Sequence, residues 1–189
     1  KTPCVIGVLP PSAKAEIKNI AGDQKAPVFE IKKEKTKLEE NQNIVLSAIN
    51  ILGLKRKTLK LNLPCRFEVH KIGKKFIIKD GAHNPEAIKE LAKIYKNSPY
   101  YKNGNTLIFA CSADKNYKAM AKILNPIFEN IVLTEASKNA VPVKELKKYF
   151  PGAAVCADFK EINLKNLQGN VLICGSFYLA GLPIINKKC

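Results

Sequence analysis

Arginine is nearly absent from this 189-residue chain. Only Arg56 and Arg66 occur, so thirty of the thirty-two basic residues are lysine, set against sixteen acidic ones for a formal net charge of +16. A surface selected to read nucleic acid leans on arginine, whose planar fork matches phosphate and guanine. The lysines, for example Lys32, Lys33, Lys55, Lys57, Lys147 and Lys148, are scattered and read as solvated faces, with a positive field that attracts anions in general. No nucleic-acid partner is expected. No CxxC pair and no histidine cluster is present to build a zinc site. No apolar run approaches the roughly 20 residues of a membrane helix. Residues 1–15 are not built like a signal peptide either, because the apolar stretch 4–9 is short and ends at Pro10-Pro11. A G-x-x-x-x-G-K-[ST] phosphate loop is also missing. Six cysteines stand at 4, 65, 111, 156, 174 and 189. Cys111, Cys156 and Cys174 lie in or at the ends of strand-like runs, as buried thiols do. A reducing compartment, the cytoplasm, is the expected location, with no membrane partner.

Hydrophobic residues make up 46% of the chain, enough for one substantial core or two small ones. Residues 2–9 read as a buried strand, 12–20 as a short helix capped by Ser12, and 26–31 as a second strand. Apolar residues recur at helical spacing over 38–52, and Gly53 makes a natural stop. These are too few elements for a stable domain and read as the tail of one. Residues 53–63 form a lysine-rich linker. Beyond it, 66–71 and 75–79 pair as a hairpin around Gly73. Helices over 85–95, 117–124, 143–149 and 177–182 then alternate with strands over 106–111, 130–133, 153–156 and 170–174. This alternation predicts an α/β fold with a mostly parallel, Rossmann-like sheet and helices on both faces.

Three turns carry residues capable of chemistry. In Asp80-Gly81-Ala82-His83-Asn84-Pro85 an apolar strand ends, an acid and an imidazole follow, and Asn84 and Pro85 open a helix. Open α/β sheets bind ligands at this carboxyl edge. Asp80 as a simple turn former and His83 as an exposed loop residue fit the pattern equally well. Gly175-Ser176-Phe177-Tyr178 repeats the logic: Ser176 faces an anion or only caps its helix. Cys111-Ser112-Ala113-Asp114-Lys115 is the third. In a parallel sheet all three turns share one edge.

The blocks Pro64-Cys65-Arg66-Phe67-Glu68, Asp80-Gly-Ala-His-Asn-Pro85, Asp114-Lys115 and Gly175-Ser-Phe-Tyr178 resemble, in order and spacing, the C-terminal half of the folylpolyglutamate synthase/dihydrofolate synthase family. This family belongs to the ATP-dependent Mur ligase superfamily. The resemblance covers essentially the whole chain. It implies that residues 1–57 are the C-terminal remainder of a central ATP-binding domain plus linker, and that 58–189 are the Rossmann-like C-terminal ligase domain. It implies an enzyme in which ATP phosphorylates the carboxylate of folate or dihydropteroate, and the amine of L-glutamate then displaces phosphate. Carried over by motif, Arg66 contacts ATP phosphates, Asp80 holds the ribose, and Asn43 is the nucleotide-contacting residue that opens the last central-domain helix. His83 and Ser176 receive glutamate. An Arg fork suits phosphate oxygens, and a carboxylate accepts from ribose hydroxyls.

The family usually carries glycine before the arginine, where this chain has Cys65, so the turn that aims Arg66 is expected to be altered. The stretch 53–64 is short for the family. The magnesium ligands, the phosphate loop and most of the folate site are expected before Lys1, in the missing N-terminal ATPase domain. The chain alone is therefore expected to be inactive, and the enzyme to be a monomer. Two rivals are a Mur-type peptidoglycan ligase relative and a non-catalytic remnant that binds nucleotide or another polyanion.

Overall fold

A computed structural model of the chain describes residues 2–34, 37–55 and 63–184. The chain divides into two compact units, Lys1–Lys60 and Leu61–Cys189. Most of the expected linker lies outside the described residues.

In the first unit, β1 (Cys4–Ile6) and β2 (Val28–Glu30) pair in parallel, connected by α1 (Pro11–Asp23). Ser12 is not the cap of α1. The helix starts one residue earlier because Pro11, with its fixed φ and no N–H, suits the first helical position, and Pro10 takes the cap place without a side-chain bond. α2 (Lys37–Ile51) follows and closes at Gly53, whose φ is +64°.

The second unit holds a six-stranded sheet. Its strands are β3 (Glu68–Ile72), β4 (Lys75–Lys79), β5 (Thr106–Phe109), β6 (Asn130–Glu135), β7 (Ala154–Asp158) and β8 (Val171–Cys174). In space they run β3-β4-β8-β5-β6-β7. β3 and β4 form the antiparallel hairpin, turning at Gly73 with φ +59°; every other neighbouring pair is parallel. The last strand, β8, therefore lies between the first two parallel ones.

Alternation along the strands builds two cores, because successive side chains leave a strand on opposite faces. Ile78, Leu107, Phe109 and Leu172 face a layer formed by α3 (Pro85–Lys96), α4 (Tyr117–Leu124) and α5 (Val143–Leu146). Ile77, Ile108, Val171 and Ile173 face the other way, onto Phe159, Ile162 and Leu179. Among the described residues this second face is covered by short elements, the 3-10 turn Phe159–Glu161 and α6 (Phe177–Ala180). The helix expected over 143–149 is α-helical only to Leu146 and tightens to a 3-10 turn over Lys147–Tyr149, just ahead of Pro151, which disfavours helix at the residue before it. Cys111 and Cys174 are buried, and burial pushes the Cys111 thiol up to about 12. Cys156 departs from the expectation: it is half-buried on β7, the sheet's edge strand.

At the amino ends of the strands, buried Asn105 ties three segments together. Its amide donates to the Tyr95 hydroxyl at 2.6 Å and the Tyr100 carbonyl at 2.8 Å, and its oxygen accepts from the Asn170 N–H at 2.9 Å. Asn105→Ala leaves the Asn170 N–H and the Tyr95 hydroxyl without their partner. The expected loss is about 2–4 kcal/mol, from roughly 1–3 for each orphaned buried group with water recovering part of the sum. A shift in the urea unfolding midpoint checks it; a loss below about 1 kcal/mol means that water replaces the amide.

Candidate functional site

β4, β8 and β5 are parallel neighbours, so the three turns that follow them emerge side by side on one edge. Backbone bonds join two of these turns to the segment ahead of β3. Asp80 N–H donates to the Ile173 carbonyl at 2.9 Å, Gly81 N–H to the Cys65 carbonyl at 2.8 Å, and Gly175 N–H to the Ala82 carbonyl at 2.8 Å. The carboxyl edge of the sheet is thus a single connected surface bearing Arg66, Asp80, His83 and Ser176.

Asp80 is the hub. Its two oxygens accept from the Phe67 N–H and the Ala82 N–H, each at 2.8 Å. A carboxylate offers about four lone-pair sites, so about two stay open for a ligand hydroxyl. Burial pushes the Asp80 carboxyl above the ordinary aspartate value, against the pull of these two donors and of Arg66.

Arg66 is exposed and flanked by two residues in the left-handed region, Cys65 at φ +56° and Phe67 at φ +47°. Such a conformation costs a non-glycine residue roughly 1–3 kcal/mol. Three bonds hold the turn in place. Cys65 N–H donates to Glu68 Oε2 at 2.8 Å, Phe67 N–H donates to Asp80, and the Cys65 carbonyl accepts from Gly81. The Cys65 N–H in turn holds the Glu68 carboxyl below its usual range. The guanidinium carbon lies 4.9 Å from the centre of the Phe177 ring.

His83 Nδ1 lies 2.8 Å from the Gly81 carbonyl oxygen. A carbonyl only accepts, so in the neutral ring Nδ1 carries the proton and Nε2 presents its lone pair. Ser176 is 5% exposed, and its hydroxyl oxygen accepts from the Tyr178 N–H at 3.1 Å, capping α6. The hydroxyl hydrogen remains free to donate. Asn84 caps α3 as its sequence implies, accepting from the Ala87 N–H at 2.9 Å.

A family model described as Mur ligase, glutamate ligase domain matches residues 65–177. The chain belongs to this family. No curated protein sequence matches it. Solved structures resemble it at low identity. The folylpolyglutamate synthase of Thermotoga maritima is 20% identical with a TM-score of 0.73, over 95% of this chain and 52% of that one. That of Mycobacterium tuberculosis, solved with ADP and AMPPCP, is 16% identical with a TM-score of 0.75, over 94% and 53%. E. coli FolC in complex with DHPP and ADP is 17% identical with a TM-score of 0.76, over 95% and 52%. At these identities the likeness is one of fold. The chain spans about half the length of these proteins.

Within this Mur ligase domain the departure at Cys65 proves compatible with the turn. The thiol residue takes the positive φ that glycine adopts freely, and neighbouring bonds hold it there. Asn43 belongs to the other compact unit. It does not open its helix: α2 begins at Lys37, so Asn43 sits in the second turn, its amide donating to Glu34 Oε1 at 2.7 Å. Asp114 and Lys115 pair with each other at 2.7 Å on the exposed third turn. Among the described residues no group of three or more His, Cys, Asp or Glu side chains is placed to hold a metal ion, and no helix is long and apolar enough to cross a membrane.

Sequence reasoning assigned no role to Glu68 or Phe177. Glu68 was within reach, since an acid three residues after a turn residue often accepts its N–H. Phe177 was not, because its partners Arg66, Gly81 and His83 lie about a hundred residues away.

Proposed function

We propose that this chain is part of an ATP-dependent ligase that adds L-glutamate to folate, or to dihydropteroate, through an acyl phosphate. In this reading residues 1–57 complete a central ATP-binding domain and 58–189 form the C-terminal ligase domain. The observation that supports it most is the joined edge, where an exposed guanidinium, a carboxylate with open lone pairs and an imidazole with a free nitrogen sit on adjacent turns.

Arg66 meets phosphate oxygens of ATP and offsets charge developing on the transferred phosphoryl. Asp80 accepts from ribose hydroxyls through its open lone pairs. Asn43 is a nucleotide contact. ATP phosphorylates the folate carboxylate and ADP is released; the glutamate nitrogen, once its ammonium has given up a proton, attacks the acyl carbon, and phosphate leaves. The His83 Nε2 lone pair accepts from the glutamate ammonium, and the Ser176 hydroxyl donates to a glutamate carboxylate. In this reading the magnesium ligands and the phosphate loop belong to the part of the enzyme that precedes this chain. The chain by itself incorporates no glutamate. The enzyme works as a monomer in the cytoplasm, where folates and ATP are available.

The test is ATP-dependent incorporation of labelled glutamate into folate by the longer protein that contains this chain. Arg66→Ala is expected to raise the KM for ATP by roughly 10–100-fold, the worth of about 1.5–3 kcal/mol for a charge-assisted bond. An unchanged KM for ATP overturns the role of Arg66. Preference for a muramyl-peptide acceptor over folate moves the assignment to a peptidoglycan ligase.

A further inference from the structure

The Phe177 ring is where a core residue would not be. α6 contributes Leu179 and Ala180 to the interior, both 0% exposed, whereas Phe177 is 41% exposed. Despite that, the ring has three neighbours from elsewhere in the sequence. The Arg66 guanidinium stands over it at 4.9 Å. The His83 ring is 5.4 Å away, centre to centre, tilted by 53°. The Gly81 backbone lies so close that a Cβ there would stand 2.2 Å from Phe177 Cε1. Among the described residues Arg66 makes no ion pair, and the aromatic face is what orients it. A long cationic side chain free in solvent samples many rotamers; an aromatic face narrows them.

We propose that Phe177 is a positioning residue. Its ring holds the Arg66 guanidinium and the His83 imidazole in fixed relation, so that the nucleotide end and the glutamate end of the site are set by one side chain. The inference deepens the ligase reading and rests on it for the identity of the two ligands. Gly81 is small so that the ring can seat against the turn that carries Asp80 and His83.

The test uses Phe177→Leu, which keeps apolar bulk and removes the aromatic face, and Phe177→Tyr, which keeps the face. In this chain, the Arg66 Nε–H NMR resonance is expected to be displaced by the ring current in the wild type and in Phe177→Tyr, and to move to the free-arginine position in Phe177→Leu. In the longer protein, Phe177→Leu is expected to raise the KM for ATP and for glutamate together by roughly two- to fivefold, with Phe177→Tyr near wild type. Adding Phe177→Leu to Arg66→Ala should raise the KM for ATP no further. An Arg66 resonance that ignores Phe177→Leu overturns the proposal, as do effects on the KM for ATP that multiply in the double variant. Failure of the ligase reading looks different: Arg66→Ala then leaves the KM for ATP unchanged, while the resonance still reports on the ring contact.

Discussion

Gly175→Ala is expected to destabilise the sheet-bearing unit by about 2–6 kcal/mol. Gly175 has φ +102°, and a Cβ on it would stand 2.3 Å from the Ala110 carbonyl oxygen and 2.5 Å from the buried Phe109 ring. Backbone strain contributes roughly 1–3 kcal/mol and overpacking a similar amount. Neither neighbour yields easily, since one is backbone at the end of β5 and the other is part of the main core. Gly73→Ala is the control, with a positive φ but open space around it, so only strain remains. Urea unfolding of the two variants separates the effects; equal losses would mean that β8 shifts freely away from β5.

Asp80→Ala comes next, at about 2–4 kcal/mol. It removes the acceptor for the N–H groups of Phe67 and Ala82, each worth roughly 1–3 kcal/mol when left without a partner, with water recovering part of the loss at this half-buried site. Asp80→Asn should fall between, because an amide has one accepting oxygen and turns an NH2 toward the second donor. The pH dependence follows from the raised carboxyl. A group whose folded-state value lies above its unfolded one contributes most when protonated. The advantage of wild type over Asp80→Ala is therefore full below the ordinary aspartate range and shrinks as pH rises through the raised value. Unfolding measured across the acid range tests the sign. An advantage that grows with pH would show that the two N–H donors outweigh burial.

The parallel sheet was readable because its strands are short apolar runs between helices of regular period; α4 falls on its expected residues. The turn at Asp80 was readable for a local reason, since Asn84 and Pro85 announce a helix start. Element ends were less so: whether Ser12 or Pro10 caps α1, or where α5 tightens, depends on single backbone bonds that side-chain patterns do not encode. The spatial order of the strands was hidden as well. Nothing in residues 171–174 says that β8 inserts between β4 and β5, because the central residues of all three are interchangeably apolar, Phe76–Ile78 in β4, Leu107–Phe109 in β5 and Val171–Cys174 in β8. For the same reason the contacts of Phe177 lay beyond reach. They form only once that insertion brings the fourth block of the motif against the first and second.

That insertion also orders events in time. During synthesis β4 and β5 emerge about sixty residues and more before β8, and at roughly 5–20 residues per second they wait seconds for the strand that joins them. Until it arrives, the two flanking strands have no hydrogen-bonded link to each other, and both present an open edge to other chains. Ser176 and Phe177 enter with the same strand. The nascent polypeptide thus carries Arg66 and Asp80 early but joins the carboxyl edge that bears them only once β8 has emerged, and the interval before it is when the open edges of β4 and β5 are most exposed to other chains.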